Sequence, residues 1–310
     1  MKKIVVTGGA GFIGSHLVDR LLEEGNGVVV LDNLTTGRRE NLEVHKGNSK
    51  LQIIEHNVIS PIDLKGISQI YHLACPASPI HYQAYPIQTL KTNFLGTLNM
   101  LELAQKNSAS FLLASTSEIY GDPLEHPQNE SYKGNVNTVG PRSCYDEGKR
   151  VAEALAYEFK QEGVAVKVVR IFNTYGPRMN FEDGRVVSNF VLQALQNKPI
   201  TIYGDGRQSR SFCYISDLVD GLQKMMNTKE FFGPVNLGNP QELTVFEIAK
   251  EIVKLTGSKS KIEFKDLPVD DPTKRKPDIT LAKKKLGFTP KIFLEEGLKN
   301  IIDDFKARLA

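Results

Sequence analysis

The chain has 310 residues, 40% of them hydrophobic and 24% charged, with a formal net charge of +3. That is enough chain for one large domain or two with a buried core, and so small a basic excess argues against a disordered or nucleic-acid-coating protein. Cys75, Cys144 and Cys213 form no C-x-x-C pair, so neither a zinc site nor a disulfide framework is expected and no metal is assigned. No apolar run approaches the roughly 18 residues of a membrane span. The first apolar run starts at Ile4, so a cytoplasmic protein without a signal peptide is expected.

The first expected element is a strand over residues 3–7, leading into Thr7-Gly8-Gly9-Ala10-Gly11-Phe12-Ile13-Gly14 and a helix over residues 12–24. Strand, glycine turn and helix start together read as a dinucleotide site. Gly8 permits the tight turn, Gly11 lets the backbone approach a pyrophosphate, Gly14 lets helix and strand pack closely, and the helix N-terminus faces the anion. A second strand over 27–32 ends in Asp32, where a carboxylate meets the adenosine ribose hydroxyls and repels a 2′-phosphate, which favours NAD. Arg38 and Arg39 would suit that phosphate instead; they are read as a solvated loop face.

Further strands are expected over 51–55, 68–73, 110–115 and 164–171, with helices over 87–107 and 143–162 between them. Short apolar runs alternating with amphipathic stretches predict an α/β fold, a doubly wound, Rossmann-like parallel sheet. Residues 1–176 read as the NAD-binding domain. After about residue 176 glycine, proline and arginine become more frequent, and 177–310 read as a smaller α/β substrate domain with helices over 181–199, 216–227, 244–256 and 293–308. Residues 235–238 are expected to return to the sheet, and 266–277, rich in proline and charge, to form a loop.

Tyr145 and Lys149 form the sole Tyr-x-x-x-Lys in the chain, on one face of an expected helix. A free tyrosine titrates near pH 10. It serves as a base at neutral pH only where positive charge stabilises the phenolate, which Lys149 and a nicotinium ring would supply. Thr116 closes the strand before it, at the carboxyl end where doubly wound sheets hold ligands, and its hydroxyl can hydrogen-bond a substrate alcohol.

Glycine turn, Thr116 and the Tyr145/Lys149 pair resemble the extended short-chain dehydrogenases/reductases in order and spacing. Within them, the chain resembles the UDP-glucuronate decarboxylases, also called UDP-xylose synthases. The motifs are His72-Leu73-Ala74-Cys75-Pro76-Ala77-Ser78-Pro79, Leu90-Lys91-Thr92-Asn93, Ser115-Thr116-Ser117-Glu118-Ile119-Tyr120-Gly121, Gly140-Pro141-Arg142-Ser143-Cys144-Tyr145-Asp146-Glu147-Gly148-Lys149, Arg170-Ile171-Phe172-Asn173-Thr174-Tyr175-Gly176 and Asp271-Pro272-Thr273-Lys274-Arg275-Lys276-Pro277-Asp278. The resemblance spans nearly the whole chain.

It implies a tightly held NAD, reduced and reoxidised in each turnover, contacted by Gly8, Gly11, Phe12, Ile13, Gly14, Asp32, Asn33, Thr35, Gly37, Asn57, Val58, Leu73, Thr92, Tyr145, Lys149 and Thr174. It implies UDP-glucuronate as substrate: Tyr145 takes the C4 hydroxyl proton, a 4-keto intermediate loses carbon dioxide, and UDP-xylose results. Glu118 is expected near C5 and the substrate carboxylate, and Arg275 against the sugar, although Lys274-Arg275-Lys276 also reads as a solvated charge run. Asn173, Arg185 and Arg210 are expected at the UDP diphosphate and Tyr203 beside the uridine, with Lys91 also among the substrate-binding residues. The resemblance also implies a homodimer, formed through the helix carrying Tyr145 and the one over 87–107, whose Leu90, Phe94, Leu95, Leu98, Leu101 and Leu103 offer more apolar surface than one sheet face requires.

Ser117 stands where related 4,6-dehydratases resemble an aspartic acid, which argues against loss of water. Asn57 stands where many relatives have aspartate beside the adenine, and the tryptophan that the decarboxylases tend to have near Tyr132 and Lys133 is missing, as is any other. A C4 epimerase, a 4,6-dehydratase and a non-catalytic NAD-binding regulator are the competing readings.

Overall fold

The computed structural model describes residues 2–267 and 274–310. Asp271, Pro272 and Thr273 of the motif around Arg275 lie outside the described residues. In chain order the first half contains β1 (Lys3–Thr7), α1 (Phe12–Glu23), β2 (Gly27–Asp32), β3 (Leu51–Glu55), β4 (Gln69–His72), α2 (Pro79–Ala84), α3 (Pro86–Lys91), α4 (Thr97–Asn107), β5 (Ser110–Thr116), α5 (Ser143–Gln161) and β6 (Val166–Ile171). The second half contains β7 (Thr174–Tyr175), α6 (Val186–Leu195), β8 (Ile200–Tyr203), β9 (Ser209–Ser211), β10 (Cys213–Tyr214), α7 (Ile215–Asn227), β11 (Val235–Leu237), β12 (Glu242–Thr244), α8 (Val245–Thr256), β13 (Ile262–Lys265), β14 (Lys274–Arg275), α9 (Thr280–Leu286) and α10 (Leu294–Leu309).

Seven strands form one parallel sheet in the order β11-β6-β5-β4-β1-β2-β3. Its central strands are continuous apolar runs, as burial on both faces requires: every residue of Gly27–Asp32 is buried. Val6, Val30 and Leu17 pack on one face in a core that extends to Leu218, Ile248 and Phe305; Val5, Leu31, Phe111, Leu101 and Ala152 pack on the other. The strand order reverses between β1 and β4, and the carboxyl ends of strands at such a switch point are where doubly wound sheets hold ligands.

His72 joins the two strands there. Thr7 Oγ1 accepts the N–H of Leu73 and of Ala74, each at 3.1 Å, so its own proton is directed to His72 Nδ1 at 2.9 Å. Nε2 then carries the ring proton and donates to Thr97 Oγ1 at 3.3 Å. Burial holds this imidazole neutral, its pKa pushed down to about 3.

The helix expected over 87–107 runs without a gap from Pro86 to Asn107, with one π-helical turn inside it. Between α3 and α4 a π-helical turn occupies Thr92–Gly96, where Thr92 Oγ1 donates to the Gln88 carbonyl at 2.9 Å and Asn93 Nδ2 to the Thr89 carbonyl at 3.1 Å. Polar side chains bonding back to carbonyls of the preceding turn accompany this widening. Leu101 and Leu103 are buried against the sheet, whereas Leu90 and Phe94 are each 42% exposed. The strand expected from 164 begins at Val166, and the helix expected over 181–199 is confined to Val186–Leu195. Within the segment expected to be a loop, Lys274–Arg275 form a strand paired with β9.

Candidate active site

The turn after β1 has the shape of a cradle. Gly8 has a φ of +69°, and a Cβ on Gly14 would stand 2.1 Å from the Gly8 carbonyl oxygen, so the turn and α1 approach as only glycine permits. The first turn of α1 carries no acidic side chain, and Gly11 at its N-cap makes no side-chain cap, leaving N–H groups for an anion. Phe12 and Ile13 begin that helix.

Asp32 ends β2 beside the cradle, buried; Oδ2 accepts the Ala10 N–H at 3.0 Å and Oδ1 the Leu34 N–H at 2.9 Å. Burial raises its pKa and the two N–H bonds oppose the rise. The Gly37 backbone lies against this carboxylate, while Asn33 and Thr35 are exposed and joined by a bond from the Thr35 N–H to Asn33 Oδ1 at 3.2 Å. Arg39 pairs with Glu55 at 2.7 Å, both exposed, and the partly buried Arg38 pairs with Glu40 at 3.6 Å. Val58 is buried against Gly96, Asn57 Oδ1 accepts the Ile59 N–H at 3.2 Å, and Leu73 follows the His72 junction. These residues fit a dinucleotide with an unmodified ribose.

The reactive centre lies where β5 meets α5. Thr116 Oγ1 accepts the Glu118 N–H at 3.2 Å, which turns the chain into the 3-10 segment Ser117–Tyr120. Its hydroxyl bonds Tyr145, favouring the phenolate, yet burial dominates and Tyr145 titrates well above its ordinary range. Lys149 is buried, donates through Nζ to the Ala114 carbonyl at 2.9 Å, and stands 6.0 Å from the Tyr145 ring centre. Burial lowers its pKa. Tyr82 stacks on Tyr145 at 5.0 Å, and its hydroxyl has no hydrogen-bond partner among the described residues.

Glu118 is surrounded by arginines. Arg275 Nη1 meets Oε1 at 2.7 Å and Nη2 meets Oε2 at 2.9 Å; Arg142 Nη2 also donates to Oε2. Burial works against its charge, but Arg275 and Arg142, with Arg210 behind them, outweigh it and hold the carboxyl below its ordinary value. Arg275 also donates to Asn173 Oδ1 at 3.1 Å, and Arg210 faces Arg275 across the β9–β14 pair. The fold thus brings Glu118 and Arg275, expected at the sugar, together with Asn173 and Arg210, expected at the UDP part. Arg185, bound to Asp183, stands over Phe12 with its guanidinium 5.9 Å from the ring, near enough to Tyr145 that a phenolate there would favour the charged guanidinium. Thr92 and Thr174 are buried and bond carbonyls of their own segments. Tyr203 is 44% exposed on β8, and Lys91 is exposed at the end of α3, with no ion-pair partner among the described residues.

The profile of the NAD dependent epimerase/dehydratase family matches residues 4–238. The chain belongs to that family. As a family member it is 57% identical over 308 residues to UDP-glucuronic acid decarboxylase 4 of Arabidopsis thaliana, an alignment covering 99% of this chain and 69% of the relative. It superimposes on the UDP-glucose 4-epimerase of Thermotoga maritima, solved with UDP-glucose, with a TM-score of 0.91 at 33% identity, covering 99% of this chain and 100% of the other. UDP-glucuronic acid 4-epimerase of Bacillus cereus, solved with UDP-glucuronic acid and NAD, gives 0.90 at 28% identity, covering 99% of each.

The sequence left Arg142, Asp146 and Tyr82 without roles. Arg142 and Asp146 carried a signal in their spacing, opposite charges one helical turn apart beside Tyr145, but such pairs usually mark a solvated helix face.

Proposed function

We propose that this protein is an NAD-dependent UDP-glucuronate decarboxylase that forms UDP-xylose and carbon dioxide. The observation that carries the reading is the buried guanidinium of Arg275 beside Glu118 and the Thr116/Tyr145/Lys149 group, a fork that suits the carboxylate of a uronic acid. The 57% identity to a plant protein named for this activity supports it.

The glycine turn and Asp32 would hold NAD, which would supply the oxidant for the C4 hydroxyl and the reductant for the C4 ketone. Tyr145 takes the proton of the C4 hydroxyl, with Thr116 donating to the phenolic oxygen. The resulting 4-ketone lies β to the C5 carboxylate, so the electrons of the breaking carbon–carbon bond pass into an enolate. Donors fixed in advance at that oxygen stabilise it, and Thr116 and Tyr145 are the two that the chain supplies. Protonation at C5 and reduction of C4 complete the sequence. Burial leaves Tyr145 protonated in the protein alone, so the base works only with added positive charge beside it. Ser117, buried and uncharged, supplies no acid to expel the C6 oxygen as water.

The test is product mass. Purified protein given UDP-glucuronate should yield a sugar nucleotide lighter by carbon dioxide. An isomer of unchanged mass would instead favour a 4-epimerase, the activity for which the structurally similar Bacillus cereus protein is named.

A homodimer belongs to the same proposal. Ile80, Ile87, Leu90 and Phe94 stand 55%, 69%, 42% and 42% exposed around α2, α3 and the π turn, beside the helix that carries Tyr145. Light scattering should give twice the chain mass. Three unpaired thiols fit the reducing cytoplasm that we also propose.

A further inference from the structure

Arg275 faces two claims. Its fork already grips Glu118, and the substrate carboxylate that the decarboxylase reading assigns to it would need the same nitrogens, since both are planar two-oxygen acceptors. Arriving substrate therefore competes with Glu118. The Glu118 side chain is only 12% exposed, and a buried carboxylate that loses its partner is strongly disfavoured. A second cation already stands there. Arg142 donates through Nη2 to Glu118 Oε2 from the N-cap of α5, the helix that bears Tyr145. Its Nε lies 3.8 Å from Asp146 Oδ2 one turn on, and Asp146 is itself 5% exposed with Oδ1 lacking a hydrogen-bond partner among the described residues.

We propose that Arg142 is a positioning residue that holds Glu118 while Arg275 is handed from Glu118 to the carboxylate of the substrate. The proposal rests on the decarboxylase reading. It assigns the two guanidiniums different duties: Arg142 belongs to Glu118 throughout, and Arg275 is exchanged between two carboxylates. Without Arg142, Glu118 has its main partner in Arg275 and releases it less readily, so the penalty falls on ligands that carry a carboxylate.

The test compares binding of UDP-glucuronate with that of UDP-xylose, which lacks the carboxylate. It uses NAD-loaded protein in a Tyr145→Phe background so that substrate is not consumed. Arg142→Met should weaken UDP-glucuronate about tenfold or more and leave UDP-xylose within about twofold. Removing the competitor as well, in Arg142→Met with Glu118→Gln, should restore UDP-glucuronate to within about threefold of Glu118→Gln alone. Binding of UDP-xylose reports in the same samples that each variant is folded. Equal losses for both ligands, an unchanged UDP-glucuronate affinity, or a loss that Glu118→Gln fails to restore would overturn the handover. The decarboxylase reading stands on the wild-type product, so protein that makes UDP-xylose yet shows equal losses overturns the handover alone.

Discussion

Arg275 and Glu118 meet side by side, Nη1 to Oε1 at 2.7 Å and Nη2 to Oε2 at 2.9 Å. One residue comes from the strand end that also presents Thr116, the other from a two-residue strand on the far side of the site. Their pairing sets an internal carboxylate where a uronic acid would bring its own.

Replacing Arg275 by lysine keeps the charge and loses the fork. Charge-assisted hydrogen bonds contribute about 1.5–3 kcal/mol each, so Arg275→Lys should raise the KM for UDP-glucuronate by at least about tenfold. Binding of UDP-xylose, measured by calorimetry, should change little. An unchanged KM would remove Arg275 from carboxylate recognition.

Tyr145→Phe removes the proton acceptor while leaving the ring stacked on Tyr82. General base catalysis contributes roughly 10²–10⁴ in rate, and turnover should fall by about that factor with NAD and UDP-xylose still bound. Substantial residual activity would mean that another group accepts the C4 proton.

Asp146 gives a dependence of stability on pH. Burial first, then the charge of Glu118, pushes its carboxyl up to about 8. The folded value lies above the ordinary value near 4, so the folded state holds the proton more tightly. The contribution is full below about pH 4 and is lost as pH rises through about 8. Asp146→Asn should abolish that loss: over this window wild-type stability should fall by about 1–3 kcal/mol relative to the variant. Parallel curves of melting temperature against pH would contradict it.

Gly14→Ala places a methyl group against the Gly8 carbonyl oxygen. Overpacking of this kind costs about 1–3 kcal/mol. The melting temperature should drop, and NAD should no longer survive purification with the protein; a variant as stable as wild type that retained NAD would show that the turn has room to spare.

Local requirements were the most legible part of the chain. The glycine turn announces itself because each glycine answers a backbone demand within a few residues, and Tyr145 with Lys149 because a helix fixes their spacing. The π turn at Thr92–Gly96 was hidden because the apolar pattern from Leu90 to Leu103 runs through it, while the deciding bonds come from Thr92 and Asn93. Glu118 and Arg275 each carried a reading, but no spacing announces a pair 157 positions apart that depends on β14 joining β9. The same holds for the buried support beneath the site, where Arg170 grips Glu153 and also donates to the Tyr120 hydroxyl, which in turn donates to Asn236 Oδ1 at 2.8 Å. Four segments meet there, and only the fold makes them neighbours.

The most direct measurement follows the carboxylate carbon itself. Protein is incubated with UDP-glucuronate carrying heavy carbon at the carboxylate, and labelled carbon dioxide, UDP-xylose and NADH are counted together. The account predicts one labelled carbon dioxide for each UDP-xylose and no accumulated NADH. Label retained in an isomerised UDP-sugar, or unchanged UDP-glucuronate with NAD bound, would contradict it.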